Sequence, residues 1–292
     1  MERPSRRQDV PRFAEMIDEL LDVALPRFPG RSLLLRDAAV HLLGLRRFQS
    51  IVDAVWGRGT DGGYMSEVLR EMNIAWHITR RGSVPIPEHG PLIAVANHPT
   101  GMLEGLILAE MLRSVRADSK VMALHILSIL PGLRDELILV DPYGRSDSPR
   151  FNIGPMRESL QWLRDGNALG MFPAGAVSKP IRRERRVADT PWSPTLARLI
   201  GGSGAVVLPI YFSVNNRFPF HLVGLINRGL QGPLIVRELL NKQGMEIEVM
   251  VGNPISPDEM PDFASHAAMA EFLRRETYAL AAAAEQPTSR LP

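Results

Sequence analysis

Residues 93–108 read IAVANHPTGMLEGLIL, and the fold turns on how this stretch is parsed. Ile93 to Ala96 form an uninterrupted apolar run, the pattern of a strand buried on both faces. Pro99 lacks an N–H for a sheet ladder, so the chain must turn there. Thr100 and Gly101 extend the turn, and MLEGLILAEMLRSV then reads as a helix. His98 thus falls at the C-terminal end of a strand, just before a helix N-terminus, where open α/β sheets place their ligands. A histidine is a good base near neutral pH. A carboxylate on its other ring nitrogen fixes the tautomer and stabilises the imidazolium. Glu104, six positions on, can reach back from the first helical turn. A structural histidine capping the turn, with Glu104 favourable at a helix N-terminus, fits the same residues. The stretch by itself does not separate the two readings.

Moving outward, short β-rich runs alternate with helical patterns from about residue 91 to 252. The strand-like runs are PLIAVAN, KVMAL, LILVD, ALGMF, AVVLPIYF, FHLVGLI and EIEVMVG. Helical stretches fall at 102–116, 154–165, 193–200 and 233–242, and a C-terminal helix at 264–285. This alternation predicts an α/β fold with a mixed, largely parallel central sheet flanked by helices. GGSGA (201–205) reads as a helix end before a strand, not as a nucleophile elbow, whose final glycine it lacks. Residues 1–75 read as an N-terminal helical segment and 76–292 as the α/β domain. In the first segment, FAEMIDELLDVAL and SLLLRDAAVHLLGL are amphipathic, suited to core packing or to lying on a membrane. A glycine-rich break, Gly57 to Gly63, precedes a short helix in MSEVLREMNIAW (65–76) that Ser66 can cap.

Composition removes several function classes. At 292 residues, 45% hydrophobic, the chain can bury a substantial core. Without cysteine it has no disulfide, thiolate nucleophile or cysteine metal site. Seven scattered histidines with no His-Glu-x-x-His give metal catalysis no support. The basic N-terminus is not followed by the apolar core of a secretory signal. No run reaches the roughly 18 uncharged apolar residues of a spanning helix; the best, VMALHILSILPGL (121–133), is broken by Pro131. A net charge of +2 and a basic run, KPIRRERR (179–186), without interleaved aromatics argue against nucleic acid as a partner. That run is a solvated face or a contact for anionic headgroups and carriers. The cations are almost all arginine, 31 against 3 lysines, a matter of genome composition or of a preference for phosphate and carboxylate partners.

A second turn decides between the readings of His98. Residues 168–178, ALGMFPAGAVS, are another buried strand ending in Pro-Ala-Gly. Two such turns at strand ends can face one crevice. NHPTGMLEG (97–105), FPAGAVS (172–178), VADTPWSPTLARL (187–199) and VVLPIYF (206–212), in this order, resemble the lysophospholipid (glycerolipid) acyltransferase superfamily. The nearer resemblance is to its bacterial haemolysin-like branch, which includes acyltransferases of lyso-ornithine lipid. It covers roughly residues 70–260.

The resemblance implies transfer of a fatty acyl group from a thioester to a lysolipid hydroxyl, in membrane lipid biosynthesis. His98 would be the base and Glu104 its orienting carboxylate. The acceptor oxygen would attack directly, without an acyl-enzyme. Asn97, Thr100, Gly101, Phe172, Pro173, Ala174, Gly175 and Ser178 would line the substrate side, with backbone amides near His98 and Gly175 as oxyanion donors. An arginine between the motifs would hold acceptor phosphate; Arg145, in the turn DPYGR, is favoured over Arg150. The co-substrate would be acyl-carrier protein or acyl-CoA, with no further cofactor and no metal. The implied setting is the cytoplasm, peripheral on the inner face of the cytoplasmic membrane. Three departures stand out: five residues rather than the commoner four separate His98 from an acid that is Glu, and Ala174 and Ala176 stand where acids occur in relatives. These leave open an N-acyltransferase or specialised-pathway enzyme, and a non-catalytic lipid-binding homologue.

Overall fold

The computed structural model describes residues 40–58, 63–125, 127, 135–141, 151–181, 186–226 and 231–282. Helices α1 (Leu45–Arg58) and α2 (Tyr64–Glu71) lead into strand β1 (Ala75–Arg80). Then come β2 (Leu92–Ala96), α3 (Leu103–Val115), β3 (Ser119–Leu124), β4 (Leu137–Val140), α4 (Ile153–Arg164) and β5 (Ala168–Met171). A small antiparallel hairpin, β6 (Lys179–Ile181) and β7 (Arg186–Ala188), precedes α5 (Thr195–Ser203) and β8 (Val206–Phe212). The order closes with α6 (Phe218–Ile226), α7 (Gln231–Leu240), β9 (Glu246–Val251) and α8 (His266–Ala282).

Seven strands form one sheet in the order β1-β9-β8-β2-β5-β3-β4. Every neighbouring pair is parallel except β8 with β9. The expected α/β architecture, with a mixed and largely parallel sheet, is the architecture observed. β2 lies at its centre, and all five of its residues are buried. Its pleat divides the core. Leu92, Ala94 and Ala96 face the layer containing α1, α2 and α3, while Ile93 and Val95 face α5 and α8. A strand buried on both faces carries no polar alternation, as the continuous run IAVA implied.

The structure corrects four local readings. FHLVGLI lies within helix α6, not a strand. Periodicity cannot separate a short apolar run into strand or helix, and Pro219 is tolerated in a first helical turn. The helical stretch 65–76 ends early, at Glu71, and AWHITR, which begins at Ala75 within it, is β1, an edge strand with a half-exposed pattern that pairs in parallel with β9. The run KPIRRERR, for which no strand is expected, carries β6 and the start of β7, whose hairpin ends at Ala188. Ser66 does not cap α2: the helix begins at Tyr64 after Gly63, and the Ser66 hydroxyl donates to Glu110 on α3. The GGSGA reading holds, with Gly204 closing α5 in the left-handed region before β8.

Candidate active site

Because β5, β2 and β8 run parallel and in register, their C-terminal ends lie side by side, with Val95 beside Met171 and Ala96 beside Ile210. The segments that follow, beginning at Asn97, Phe172 and Ser213, therefore leave the sheet on one edge. His98 and the Phe172–Ser178 turn meet there. The His98 and Phe172 rings stack, centroids 4.4 Å apart with 22° between their planes.

Glu104 lies in the first turn of α3 and is fully buried. Its Oε1 accepts from the backbone N–H groups of Thr100 (2.9 Å) and Gly101 (2.8 Å), and its Oε2 accepts from the Thr100 hydroxyl. His98 Nδ1 sits 2.9 Å from the same Oε1. The approach is off the line of an ideal ring N–H hydrogen bond, a looseness common in free enzymes that tightens when substrate binds. Burial pushes the Glu104 carboxyl up, but His98, the Thr100 hydroxyl and the Gly101 amide together outweigh it and hold the group below its ordinary range. A buried carboxylate thus stays ionised against the imidazole. With five residues between His98 and Glu104, the turn curls its own Thr100 and Gly101 amides onto the carboxylate.

Gly101 is required twice. Its φ is +92°, and a Cβ there would come within 2.7 Å of Val177 and 3.0 Å of Ile235. It is where the His98 turn meets the Phe172–Ser178 turn. Gly175, exposed and with φ +62°, donates its N–H to the Phe172 carbonyl (3.0 Å) and closes the second turn. Pro173 is buried, and Phe172 and Ala174 are half-buried at the mouth.

Several residues expected to face substrate have structural partners. Asn97 is buried, and its side-chain amide donates to the Phe212 carbonyl (3.1 Å) and accepts from the Phe212 N–H (2.7 Å), joining the ends of β2 and β8. The Thr100 amide and hydroxyl, and the Gly101 amide, are engaged by Glu104. Ser178 is buried; its hydroxyl donates to Asp189 and its N–H to the His98 carbonyl (2.8 Å). Arg145 and Arg150 lie outside the described residues, as do 182–185 of the basic run; Lys179 and Arg186 are exposed.

Asp189 was not anticipated. It is buried and accepts from the His98 N–H (3.1 Å), the Ser178 hydroxyl (2.5 Å) and the Trp192 indole N–H (2.9 Å). Its own N–H donates to Tyr278 Oη (2.8 Å), and its carbonyl accepts from Arg274 (3.0 Å). One residue thus locks the His98 peptide to the second turn through its carboxylate and to α8 through its backbone N–H and carbonyl. Burial, then the Asp189 charge, push the Tyr278 phenol well above its usual range, so it stays neutral. The only signal in the sequence was an acid beside a tryptophan in VADTPW. Asn216 was also missed; its side chain donates to the Thr100 carbonyl (3.0 Å) and ties the segment before α6 to the turn between His98 and Glu104.

Among the described residues no helix is long and apolar enough to cross a membrane. A crystal structure of the 1-acyl-sn-glycerophosphate (LPA) acyltransferase of Thermotoga maritima is 14% identical, with a TM-score of 0.49 over 97% of this chain and 98% of that one. A lyso-glycine lipid O-acyltransferase of Phocaeicola vulgatus is 24% identical over 207 residues, 68% of this chain and 72% of that protein. The sequence profile of the family described as "Acyltransferase" matches residues 63–286, a span that holds both turns, the Asp189 hub and every strand of the sheet. The chain is a member of that acyltransferase family and an acyltransferase enzyme.

Proposed function

We propose that this enzyme moves a fatty acyl group from an acyl thioester to the hydroxyl of a lysolipid, with His98 as general base and Glu104 as the residue that orients and charge-stabilises it. The observation that carries this reading is the fully buried, ionised Glu104 held 2.9 Å from His98 Nδ1 at the mouth of two converging turns. Nδ1 faces Glu104, so Nε2 is the nitrogen for the acceptor. It takes the hydroxyl proton as the oxygen attacks the thioester carbonyl, giving a tetrahedral oxyanion. The C–S bond then breaks, and the departing thiolate takes the proton back from the imidazolium. The products are an ester and a free thiol. Charge on the imidazolium is balanced by Glu104, and stacking on Phe172 holds the ring plane.

The donor is acyl-carrier protein or acyl-CoA, both acidic, and the exposed Lys179 and Arg186 beside the second turn suit such a carrier. A lysolipid acceptor resides in a membrane and such donors in the cytoplasm, so the enzyme works at the inner face of the cytoplasmic membrane. The similarity to a lyso-glycine lipid O-acyltransferase supports an ester-forming reaction on an amino-acid lipid. Ala174 and Ala176 leave the second turn without a carboxylate at either position, and this favours as a second reading an N-acyltransferase or specialised-pathway enzyme.

The test is a labelled acyl-transfer assay, wild type beside His98→Ala. It offers both donor types against lysophospholipids, lyso-amino-acid lipids and amine acceptors. Ester formation that falls about 10²–10⁴-fold or more in the variant is expected. Equal transfer by both proteins would remove His98 from the reaction. Amide formation with an amine acceptor, exceeding ester formation, would replace O-transfer by N-transfer.

A further inference from the structure

Helix α6 carries an apolar residue on nearly every side yet lies at the surface. Phe220 and His221 face inward and are buried. On the other side Phe218, Leu222 and Leu225, spaced i, i+4 and i+7, are 69%, 43% and 72% exposed. Among the described residues no other helix or strand exposes three large apolar side chains. A helix that is hydrophobic all round belongs in an apolar medium on both sides, and a clustered exposed patch marks a contact. Scattered single apolar residues, such as Val84 or Met245, need no such account.

Two further observations indicate what the contact is. From Ser213 to Arg237 the sequence holds three arginines (217, 228 and 237) and no Asp or Glu. Arg217 and Arg237 are exposed, at the start of α6 and on the neighbouring α7. Glu238, the next residue, is buried and accepts from the Arg217 N–H and from Lys242, so its charge is turned inward. An apolar stripe flanked by exposed arginine, with no exposed acid in this segment, complements an anionic lipid surface and not an acidic-rimmed protein groove. The second observation is position. α6 follows β8 by five residues, and Asn216 bonds the Thr100 carbonyl in the turn that holds Glu104. Whatever α6 lies on is therefore brought to the site's edge of the sheet.

We infer that α6 is the element that seats the enzyme on an anionic bilayer, with Phe218, Leu222 and Leu225 inserted among the acyl chains and Arg217 at the headgroups, so that a lipid acceptor reaches His98 from the membrane plane. The inference rests on the proposed lipid acceptor for its purpose, but its physical content is membrane binding and can be tested apart from it.

The full-length protein is floated with phosphatidylcholine vesicles, with and without phosphatidylglycerol. Wild type is compared with the triple variant F218S/L222S/L225S and with Arg217→Glu. All four positions are exposed, so the fold is expected to survive, and circular dichroism verifies it. Wild type should bind phosphatidylglycerol vesicles. The triple variant should bind at least about tenfold more weakly, given what burying three such side chains is worth. Arg217→Glu should lose the preference for phosphatidylglycerol. Transfer to a dispersed short-chain acceptor should persist in the triple variant while transfer to vesicle-borne acceptor falls. Equal vesicle binding by wild type and triple variant overturns the inference. So does a wild type that fails to bind, or a triple variant that instead dissociates an oligomer, which would make this face a protein interface. If the binding difference is seen but no acceptor is acylated by any variant, the inference stands and the proposed acceptor falls.

Discussion

Glu104 and Asp189 are two buried carboxylates on either side of one histidine, and they do different work. Glu104 meets the His98 ring; Asp189 meets the His98 backbone. Replacing Glu104 by Gln keeps the shape and an acceptor for the Thr100 and Gly101 amides but removes the charge that, in the proposed mechanism, balances the imidazolium. A charged hydrogen bond is worth about 1.5–3 kcal/mol, so kcat should fall about 10- to 100-fold with little change in KM. Steady-state kinetics check this. The same change alters acid stability. The Glu104 pKa in the folded protein lies below its ordinary 4.5, so the unfolded chain takes up the proton first. The stabilisation is complete above about pH 4.5 and is lost as pH falls from there through the lowered folded value. Urea unfolding of wild type should therefore show an acid-side loss that the Gln variant lacks in part. Identical acid profiles would mean that Glu104 is not ionised in the fold.

At the scale of elements, the site depends on how strand ends are tied together. Asn97 is a clamp between β2 and β8, because its amide answers both the N–H and the carbonyl of Phe212. In Asn97→Ala both buried backbone groups lose their partner. Each orphaned group costs about 1–3 kcal/mol, so about 2–6 kcal/mol of stability should be lost, measured by denaturant midpoint. Activity per folded molecule should fall as well, since His98 follows directly, and addition of acceptor should not restore it. Were Asn97 mainly a substrate ligand, stability would hardly move and KM would rise. Arg116 performs a similar service at the other end of the strands. It is buried and donates to the carbonyls of Gly90 (2.6 Å) and Gly166 (2.6 Å) and to Asp118 (2.9 Å and 2.5 Å), joining the segments that enter β2 and β5.

Across the whole molecule, helices α1 and α2 share the core of the sheet, while the amphipathic stretches before residue 40 lie outside the described residues. Leu45, Phe48, Val55, Leu69 and Met72 pack in the same cluster as Leu92, Ala94 and Leu108. A separate helical segment would melt separately. Instead, Phe48→Ala, 50 positions before His98, should destabilise the protein by about 3–5 kcal/mol and lower a single unfolding transition. Far-ultraviolet circular dichroism and tryptophan fluorescence should report that transition at one midpoint. Two transitions, with only the first shifted, would show α1 and α2 to be an independent unit.

The sequence by itself determined the class of fold and the two turns that matter. Buried strands, prolines at their ends and helical spacing are local properties, and they are visible wherever apolar run, breaker and period fall within about ten residues. His98, Glu104 and the FPAG turn were legible for that reason. What only the tertiary structure decided was which side chains meet across the sheet. Asp189 lies 91 positions from His98, Asn216 lies 116 from Thr100, and Asn97 lies 115 from Phe212. Their contacts exist because β2, β5 and β8 run parallel and end together, and nothing in the neighbouring residues records that register. The same limit hid the role of α6. Its run of apolar residues was plain, but an apolar run does not say whether it is strand or helix, or which of its faces the rest of the chain leaves uncovered.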